Sequence, residues 1–329
     1  MSNSKDVALK ANVSVATVSR VYKSPELVKP TTRELVLKAA KELNYYPNLF
    51  ARNLKEQRSN SIGIAVCDFT NPFFFQVFEQ LNLHIDKTNY QMMVFPPISS
   101  KISENKMAEF LLSSQIDAFL FTPTVYHAED HTLLSNSSQY CLQLYSDIYP
   151  DIDAVTIDDQ HGTYLAVKHL LEYQHTKILL LNSGDSDEAC RMEGMLRAYH
   201  EFDLEPDLNY FQYLSHDMDE QTAIRHLIET LKPSAIISHT ERLTIFTLSV
   251  LAELNLSWPN DISLITYDDH PWATIMGITA ISQPISQVAD VIADTVLNAL
   301  SSSKKNTPRK QKIKPTLIER KSVSSFSEK

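Results

Sequence analysis

The chain has 329 residues, of which 43% are hydrophobic, with a formal net charge of −10 and a pI ≈ 5.6. Its positive charge lies at one end, because the first 60 residues contain 11 Lys and Arg against 5 Asp and Glu. Phosphate repels the rest of so acidic a chain, so nucleic acid would bind at that end. Three cysteines, no secretory leader and no long apolar segment favour a reduced, cytoplasmic protein and exclude a disulfide scaffold or a membrane span.

Residues 4–23, SKDVALKANVSVATVSRVYK, have the spacing of two short helices that meet at a tight corner. Asn12 lies at the corner, where a left-handed backbone is needed and Asn is tolerated better than any residue except Gly. Ser14 is predicted to cap the second helix. The outer face of that helix suits the DNA major groove, with the side chains of Val15, Ala16, Thr17, Ser19 and Arg20. The alternative is a helical hairpin without a ligand.

A third helix is predicted from a capping box at Thr31-Thr32-Arg33-Glu34 and from the apolar residues that follow it. It should end at Asn44-Tyr45-Tyr46-Pro47, because the residue before a proline is steered away from the helical region. Residues 1–46 are therefore predicted to form a helix-turn-helix headpiece. Residues 47–60 are predicted to contain one or two further helical turns capped by Asn48, followed by a polar linker.

From residue 62, short apolar runs alternate with helical stretches. Candidate strands are Ile62–Val66, Met92–Phe95, Ala118–Phe121, Cys141–Tyr145, Ala154–Ile157, Lys177–Leu181, Ala235–Ser238 and Ile262–Thr266. Near-continuous apolar strands between helices indicate parallel sheets covered on both faces. Because about 270 residues are too many for one core, we expect two doubly wound α/β lobes.

Several patterns argue against an enzyme, a cofactor or a metal. With only five glycines, the chain has no P-loop and no dinucleotide-binding loop, and we find no nucleophile–base pair or paired carboxylates. His127 and His131 lie four residues apart but lack the H-E-x-x-H order of a zinc site. The basic residues between 304 and 314 are predicted to be a solvated linker before a last strand at Pro315–Arg320. The Ser-rich tail after Ser322 is predicted to be frayed.

The segment VSVATVSRVYKSPELVKPTTRELVLKAAKELNYYPNLFARNLK resembles the DNA-binding headpiece and hinge of the lactose-repressor (LacI/GalR) family of bacterial regulators. The likeness continues in CDFTNPFF, RMEGMLRAY, DISLITYDD, TAISQP and PTLIERKSV, and so spans nearly the whole chain. It implies a periplasmic-binding-protein-like body at 61–329, with crossovers near residues 157, 283 and 313 and a ligand cleft between the lobes. The N-lobe would comprise about 61–157 and 283–312, and the C-lobe about 158–282 and 313–329.

The resemblance implies a sequence-specific repressor of a carbohydrate-utilisation operon, controlled by a small sugar, sugar acid or sugar phosphate. Such a regulator would bind pseudo-palindromic operator DNA as a homodimer or tetramer. Its hinge helix would order on DNA, and Leu54 would be an apolar wedge in the minor groove, an ordinary linker being the alternative. Two other functions stay open: control by a partner phosphoprotein, and a sugar-binding carrier or enzyme with an incidental basic N-terminus.

Eight residues are candidate effector contacts: Phe73, Phe74, Asp158, Arg191, His239, Asp268, Trp272 and Gln283. The resemblance implies this role for the two phenylalanines, Arg191, Asp268 and Gln283. Asp158 and His239 follow predicted strands, where open parallel sheets bind ligands, and Trp272 could cover the cleft. The fork of donors on Arg191 suits hydroxyls or a carboxylate, a surface salt bridge being the alternative. The phenylalanines could instead fill the core, and Trp272 could pack beneath the cleft.

His239 departs from the family pattern, which has Asn before Asp at this position. An imidazole has fewer donor and acceptor sites than a carboxamide, and its charge depends on pH. This puts sugar recognition there in doubt. It keeps open an anionic effector whose affinity would weaken as the pH rises past the pKa of the imidazole.

Overall fold

The computed structural model of the chain describes residues 2–46, 59–65, 71–95, 116–123, 128–135, 137–183, 188–215, 218–302 and 307–326. The chain divides into two compact units, residues 1–59 and 60–329, which we call the headpiece and the body. None of the helices in the described ranges has the length and apolar character that crossing a bilayer requires.

The headpiece contains three helices: α1 (Ser4–Lys10), α2 (Val15–Lys23) and α3 (Pro30–Glu42). Asn12 has a φ of 53° between α1 and α2, as its position in the sequence predicts. Ser14 caps α2, because its side chain accepts a hydrogen bond from the backbone N–H of Thr17 at 3.1 Å. Small and β-branched side chains then allow close packing of the helices, among them Val7, Ala8, Val18, Val21, Val36 and Ala40.

The predicted capping box of the third helix is wrong. Helix α3 begins two residues earlier, with Pro30 as its first residue and Lys29 as an N-cap that makes no side-chain hydrogen bond. Proline suits this position because its fixed φ is already helical and its missing N–H has no partner there in any helix. The helix ends at Glu42, and Asn44 follows with a left-handed φ of 47°.

One lobe of the body, the N-lobe, is a six-stranded sheet with helices packed on it. Its strands are β1 (Ser61–Ala65), β2 (Gln91–Phe95), β3 (Ala118–Phe121), β4 (Tyr140–Leu144), β5 (Asp153–Ile157) and β11 (Lys310–Ile313). Its helices are α4 (Pro72–Ile85), α5 (Ala128–Ser135) and α11 (Ile285–Ser301). The strand order is β11-β5-β4-β3-β1-β2, with every pair parallel. Helices α4 and α11 bury their apolar faces in one core against this sheet.

The C-lobe is a second six-stranded sheet. Its strands are β6 (Ile178–Ser183), β7 (Phe211–Leu214), β8 (Ala235–Ser238), β9 (Ser263–Tyr267), β10 (Thr279–Ser282) and β12 (Thr316–Ile318). Its helices are α6 (Asp159–Glu172), α7 (Glu188–Glu201), α8 (Glu220–Leu231), α9 (Glu241–Glu253) and α10 (Pro271–Met276). The order is β12-β10-β9-β8-β6-β7, and only β12 is antiparallel to its neighbour. Helices α6 and α7 cover one face of the sheet, and α8 and α9 cover the other.

The chain passes between the lobes three times: from β5 to α6, from β10 to α11 and from β11 to β12. These passages lie near residues 157, 283 and 313, where the family resemblance implies crossovers. The passages at 157 and 283 also bring residues after β5 and β10 to the edge of the C-lobe sheet where β6, β8 and β9 end.

All eight candidate strands are present, two with the predicted bounds (Ala118–Phe121 and Ala235–Ser238) and six with shifted bounds. Strands β7 and β10 were not predicted, and the prediction for β11 was wrong. The lysine-rich segment is not wholly a linker, because Lys310 to Ile313 pair in parallel with β5. Exposed lysines suit this strand because β11 is at the edge of its sheet, where charge discourages pairing with other chains. Lys310 also donates to the backbone carbonyl of Tyr149 at 2.7 Å.

The expectation of a frayed tail after Ser322 is also wrong as far as Phe326. Ser322 is fully buried, and its hydroxyl accepts from the backbone N–H of Thr279 at 2.8 Å and donates to the carbonyl of Leu264. His175 bonds the carbonyl of Ser324 at 2.8 Å. The tail is held because it satisfies backbone groups that the sheet leaves unpaired.

Candidate functional site

The outer face of α2 is a candidate surface for DNA. Val15 is 42% exposed, and Ala16, Ser19 and Arg20 are exposed as well. Thr17 is half-buried, with its hydroxyl 2.9 Å from that of Ser14. The opposite face packs on α1 and α3. The exposed face therefore consists of short side chains and one arginine, which can fit into a DNA groove. Asn48 and Leu54, which we assigned to the hinge, lie outside the described residues.

A second candidate site lies at the carboxyl ends of the C-lobe strands. Residue 191 is in the first turn of α7, which follows β6, while His239 follows β8 and Asp268 follows β9. Asp159 and Gln283 reach the same edge from two of the crossovers. Because parallel strands end at one edge of their sheet, side chains from five separate segments meet there.

Arg191 is at the centre of this cluster. It is 7% exposed, its Nη2 lies 3.4 Å from Oδ2 of Asp159, and its guanidinium sits 5.4 Å from the centre of the Tyr267 ring. Its Nε and Nη1 have no hydrogen-bond partner among the described residues. The ion pair of Arg191 with Asp159 is therefore not a surface salt bridge, because the guanidinium is buried. Two of its three nitrogens have no acceptor among the described residues.

Asp268 is the second buried charged group. It is 5% exposed, has a φ of 66°, and its Oδ1 accepts a short hydrogen bond from the side-chain amide of Gln283. Burial raises the pKa of Asp268 to about 7, in spite of the hydrogen bond from Gln283, which lowers it, and the nearby charge of Asp159 raises it further. Near neutral pH, Asp268 can therefore be either an ionised carboxylate, which accepts hydrogen bonds, or a neutral carboxylic acid, which can also donate one.

His239 is 2% exposed. Burial holds the pKa of its imidazole well below the usual range, and the nearby charge of Arg191 lowers it further. The pH dependence that we expected from His239 requires a ring that gains a proton near neutral pH, and burial disfavours that charged form. Its Nε2 lies 3.0 Å from the hydroxyl of Thr163, and its Nδ1 has no partner among the described residues.

Two glycines allow α6, α7 and β9 to approach closely around these groups. A Cβ on Gly194 would collide with the backbone oxygen of Gln160, and one on Gly162 would collide with the hydroxyl of Tyr267. That hydroxyl lies 3.3 Å from both the Thr163 hydroxyl and the Asp159 carbonyl. Because the two glycines have no side chains, α6 can approach α7 and β9 closely enough to place Asp159 and Thr163 beside Arg191, His239 and Tyr267.

The other candidate contacts have different surroundings. Asp158 caps α6 by accepting from the backbone N–H of His161 at 3.1 Å. Trp272 donates from its indole nitrogen to Glu241 at 2.8 Å and packs at the margin of the C-lobe core.

Phe73 is buried in the N-lobe core, and Phe74 is partly buried against the same core. Both rings contact Tyr145 edge to face, at 5.4 Å and 4.9 Å between ring centres. Phe73 therefore fills the N-lobe core, which was the alternative to an effector contact.

The structure brings together four of the eight candidates: Arg191, His239, Asp268 and Gln283. It adds Asp159, Thr163 and Tyr267, which the sequence reading did not select. The adjacent pair Asp158-Asp159 was a usable signal, because the first residue after a strand caps the helix and leaves the second for the site. Nothing in the sequence identified Thr163, which reaches the site only through packing of α6. The described residues contain no cluster of three or more His, Cys, Asp or Glu that could hold a metal ion.

Comparison with known proteins gives two family matches. The model of bacterial regulatory proteins of the lacI family matches residues 4–48, and that of a periplasmic binding protein-like domain matches residues 167–323. The HTH-type transcriptional repressor PurR of Vibrio vulnificus (strain CMCP6) is 27% identical over 337 residues, which cover 99% of this chain and 100% of PurR.

Two solved structures share the fold. The lac repressor dimer bound to operator and the anti-inducer ONPF has a TM-score of 0.83 at 23% identity, covering 98% of this chain and 99% of that one. The complex of the transcriptional regulator CelR with cellobiose has a TM-score of 0.70 at 20% identity, covering 98% and 100%. The predicted fold class is confirmed, and the relatives are transcription regulators and not enzymes, as expected.

Proposed function

We propose that this chain, which belongs to the lacI family of bacterial regulatory proteins, represses transcription at an operator under the control of a small, uncharged carbohydrate. That it is a DNA-binding transcription regulator follows from its family. Repression, the effector class, a homodimer on a pseudo-palindromic operator and a target operon for carbohydrate use are our proposal.

The observation that carries the effector proposal is the unmatched guanidinium of Arg191. Two of its nitrogens are buried without an acceptor among the described residues. Leaving a buried donor unpaired costs about 1–3 kcal/mol, and more for a charged group. A bound molecule with oxygen atoms would remove that cost, which gives the site an affinity for such a ligand.

The charges around Arg191 favour a neutral ligand over a sugar acid or a sugar phosphate. Asp159 already lies against the guanidinium, and Asp268 is a second carboxyl nearby whose ionised form burial disfavours. An anionic ligand would place another negative charge among these groups. A hydroxyl, in contrast, can accept from Arg191 and donate to Asp268.

The proposed effector site comprises four of the candidates predicted from the sequence, Arg191, His239, Asp268 and Gln283, together with Asp159. Trp272 and the half-buried Phe74 are proposed as apolar surfaces for the ligand. Phe73 and Asp158 are used by the core and by the cap of α6, so we assign them no direct contact.

On the DNA side, we propose that α2 enters the major groove and that Ser14, Thr17 and Ser19 contact the backbone or base edges beside Arg20. Val15 and Ala16 cannot donate through their side chains, so they would meet thymine methyls or the shape of the groove. The hinge, with Asn48 as its cap and Leu54 as a minor-groove wedge, remains a proposal from the family resemblance.

A thermal-shift screen tests the effector proposal. A ligand at 100 times its Kd stabilises the native state by about 2.7 kcal/mol. We expect at least one neutral mono- or disaccharide to stabilise wild-type protein and to leave Arg191→Ala unshifted. Stabilisation by sugar phosphates alone, or an equal shift in the variant, would contradict the proposal.

A further inference from the structure

We infer that Asp159 is a charge filter: its carboxylate lies against the guanidinium of Arg191 and so keeps out the anions that this arginine would otherwise bind. The inference rests on the proposed effector site. Asp159 belongs to none of the C-lobe strands, because it reaches the site from the crossover between β5 and α6. Its role concerns which molecules the site rejects, and it is separate from the groups that would recognise the effector.

A buried arginine with unpaired nitrogens is by default a site for anions. Arg191 is 7% exposed, and its Nε and Nη1 have no partner among the described residues. The planar fork of a guanidinium matches the oxygens of phosphate, sulfate and carboxylate, and such charged hydrogen bonds are about twice as strong as neutral ones. Inorganic phosphate and phosphorylated metabolites would therefore compete with a neutral effector, unless a fixed negative charge opposed them.

Asp159 supplies that negative charge from an anchored position. Its Oδ2 lies 3.4 Å from Nη2 of Arg191. Its backbone carbonyl accepts a hydrogen bond from the hydroxyl of Tyr267 at 3.3 Å, and the preceding residue, Asp158, caps α6. The backbone that carries the carboxylate is therefore held by the end of β9 and by the start of α6. Because the three nitrogens of a guanidinium form one rigid plane, an anion bound to Nε or Nη1 would lie close to the carboxylate on Nη2.

The charge of Asp159 acts on other buried groups of the site. Burial raises the pKa values of Asp268 and Tyr267, and the negative charge of Asp159 raises both further. An anionic ligand on Arg191 would meet the same repulsion, which water screens little in a buried site. The ion pair of Arg191 with Asp159 has no net charge. It therefore leaves the donors of Arg191 available to a neutral ligand while removing the positive field that attracts anions.

Titration of the full chain with sulfate tests the charge filter without any sugar. Asp159→Asn is compared with wild type and with Asp158→Asn, which removes the same charge one residue away and keeps a good cap on α6. The titrations are made by calorimetry at constant ionic strength and mildly acidic pH, below the pKa of about 7 of Asp268, so that Asp268 is mostly uncharged. We expect sulfate to bind Asp159→Asn at least tenfold more tightly than wild type or Asp158→Asn.

Further variants show whether the gain in sulfate affinity depends on the charge and on Arg191. Asp159→Ser, a second neutral variant, should show the same gain, whereas Asp159→Glu, which keeps the charge, should not. Adding Arg191→Ala to Asp159→Asn should abolish the gain, because the partner of the anion is lost.

Three results would overturn the inference: equal sulfate affinity in wild type and Asp159→Asn, an equal gain in Asp158→Asn, or a gain that persists without Arg191. The proposed carbohydrate effector would fail by a different observation, namely a thermal-shift screen in which no neutral sugar stabilises wild type. Because sulfate is titrated in the absence of sugar, the two failures are distinguishable.

Discussion

Arg20 is the arginine that α2 exposes beside its short polar residues, and its long donor fork can reach a base edge. We predict that Arg20→Ala weakens binding to the selected operator by about 1–3 kcal/mol and relaxes the preference at one base pair, because a bidentate contact to guanine is lost. Fluorescence anisotropy on operator and random duplexes measures both effects. Arg33→Ala is the control, since a general loss of charge should weaken the two duplexes alike. An equal loss on both duplexes for Arg20→Ala would mean that Arg20 touches only phosphate.

Asp268 makes the stability of the body depend on pH. Its pKa rises from 3.8 to about 7 on folding, so the native state binds its proton more tightly than the unfolded chain does. The stability that it contributes is fully present below about pH 4 and is lost as the pH rises toward about 7. We predict that Asp268→Asn, which cannot ionise, becomes progressively more stable relative to wild type across that range. Urea unfolding at several pH values measures this, and a difference independent of pH would contradict it.

Arg191, Asp268 and Gln283 could be predicted as effector contacts because each matches a motif of the family that the sequence resembles, and Asp268 also follows a predicted strand. The state of their protons could not. The lowered pKa of His239 and the raised pKa of Asp268 come from burial by segments far apart in the chain. Sequence position alone suggested an ionisable histidine, whereas burial lowers the pKa of His239 and raises that of Asp268 to about 7.

The close packing of helices α6 and α7 sets the geometry of the candidate effector site. A Cβ at Gly194 would overlap the backbone oxygen of Gln160 and press on Thr163. We predict that Gly194→Ala costs about 1–3 kcal/mol through overpacking and weakens effector binding by displacing Arg191. Calorimetry and thermal unfolding measure the two effects.

Gly277→Ala is the matched control for that variant. Gly277 has a φ of 68°, but its Cβ would meet only the Cβ of Lys321, at 3.7 Å. The substitution should destabilise the body through backbone strain alone and leave effector affinity unchanged. If both variants lose stability and neither loses affinity, the packing of α6 on α7 does not position Arg191.

The C-terminal tail is an element that composition misjudged, since a Ser-rich segment carries no apolar pattern. Ser322 is buried between the carbonyl of Leu264 and the N–H of Thr279. We predict that Ser322→Ala destabilises the body by about 1–3 kcal/mol, because it leaves both backbone groups unpaired. In Ser301→Ala, an exposed helix position, the change should stay within about 0.5 kcal/mol. Equal urea midpoints for the two variants would show that the tail contributes no stability.

At the scale of the whole molecule, the two-part organisation was predictable because charge and periodicity both change near residue 60. Two α/β lobes followed from the number of strand and helix segments. The edge strand β11 and the strands β7 and β10 were not found, since short strands without continuous apolar runs depend on their neighbours for pairing. The order of strands within each sheet likewise depends on contacts that no local pattern records.

We propose that a small, uncharged carbohydrate held by Arg191 controls how tightly the chain binds operator DNA. The direct measurement is operator affinity by fluorescence anisotropy, for wild type and Arg191→Ala, with and without the sugar that the thermal-shift screen identifies. We predict that the sugar changes the affinity of wild type by at least about fivefold, as a coupling free energy of 1 kcal/mol or more requires. Arg191→Ala should bind operator as effector-free wild type does and should not respond. An equal response of both proteins, or an effect of the sugar on neither, would contradict the account.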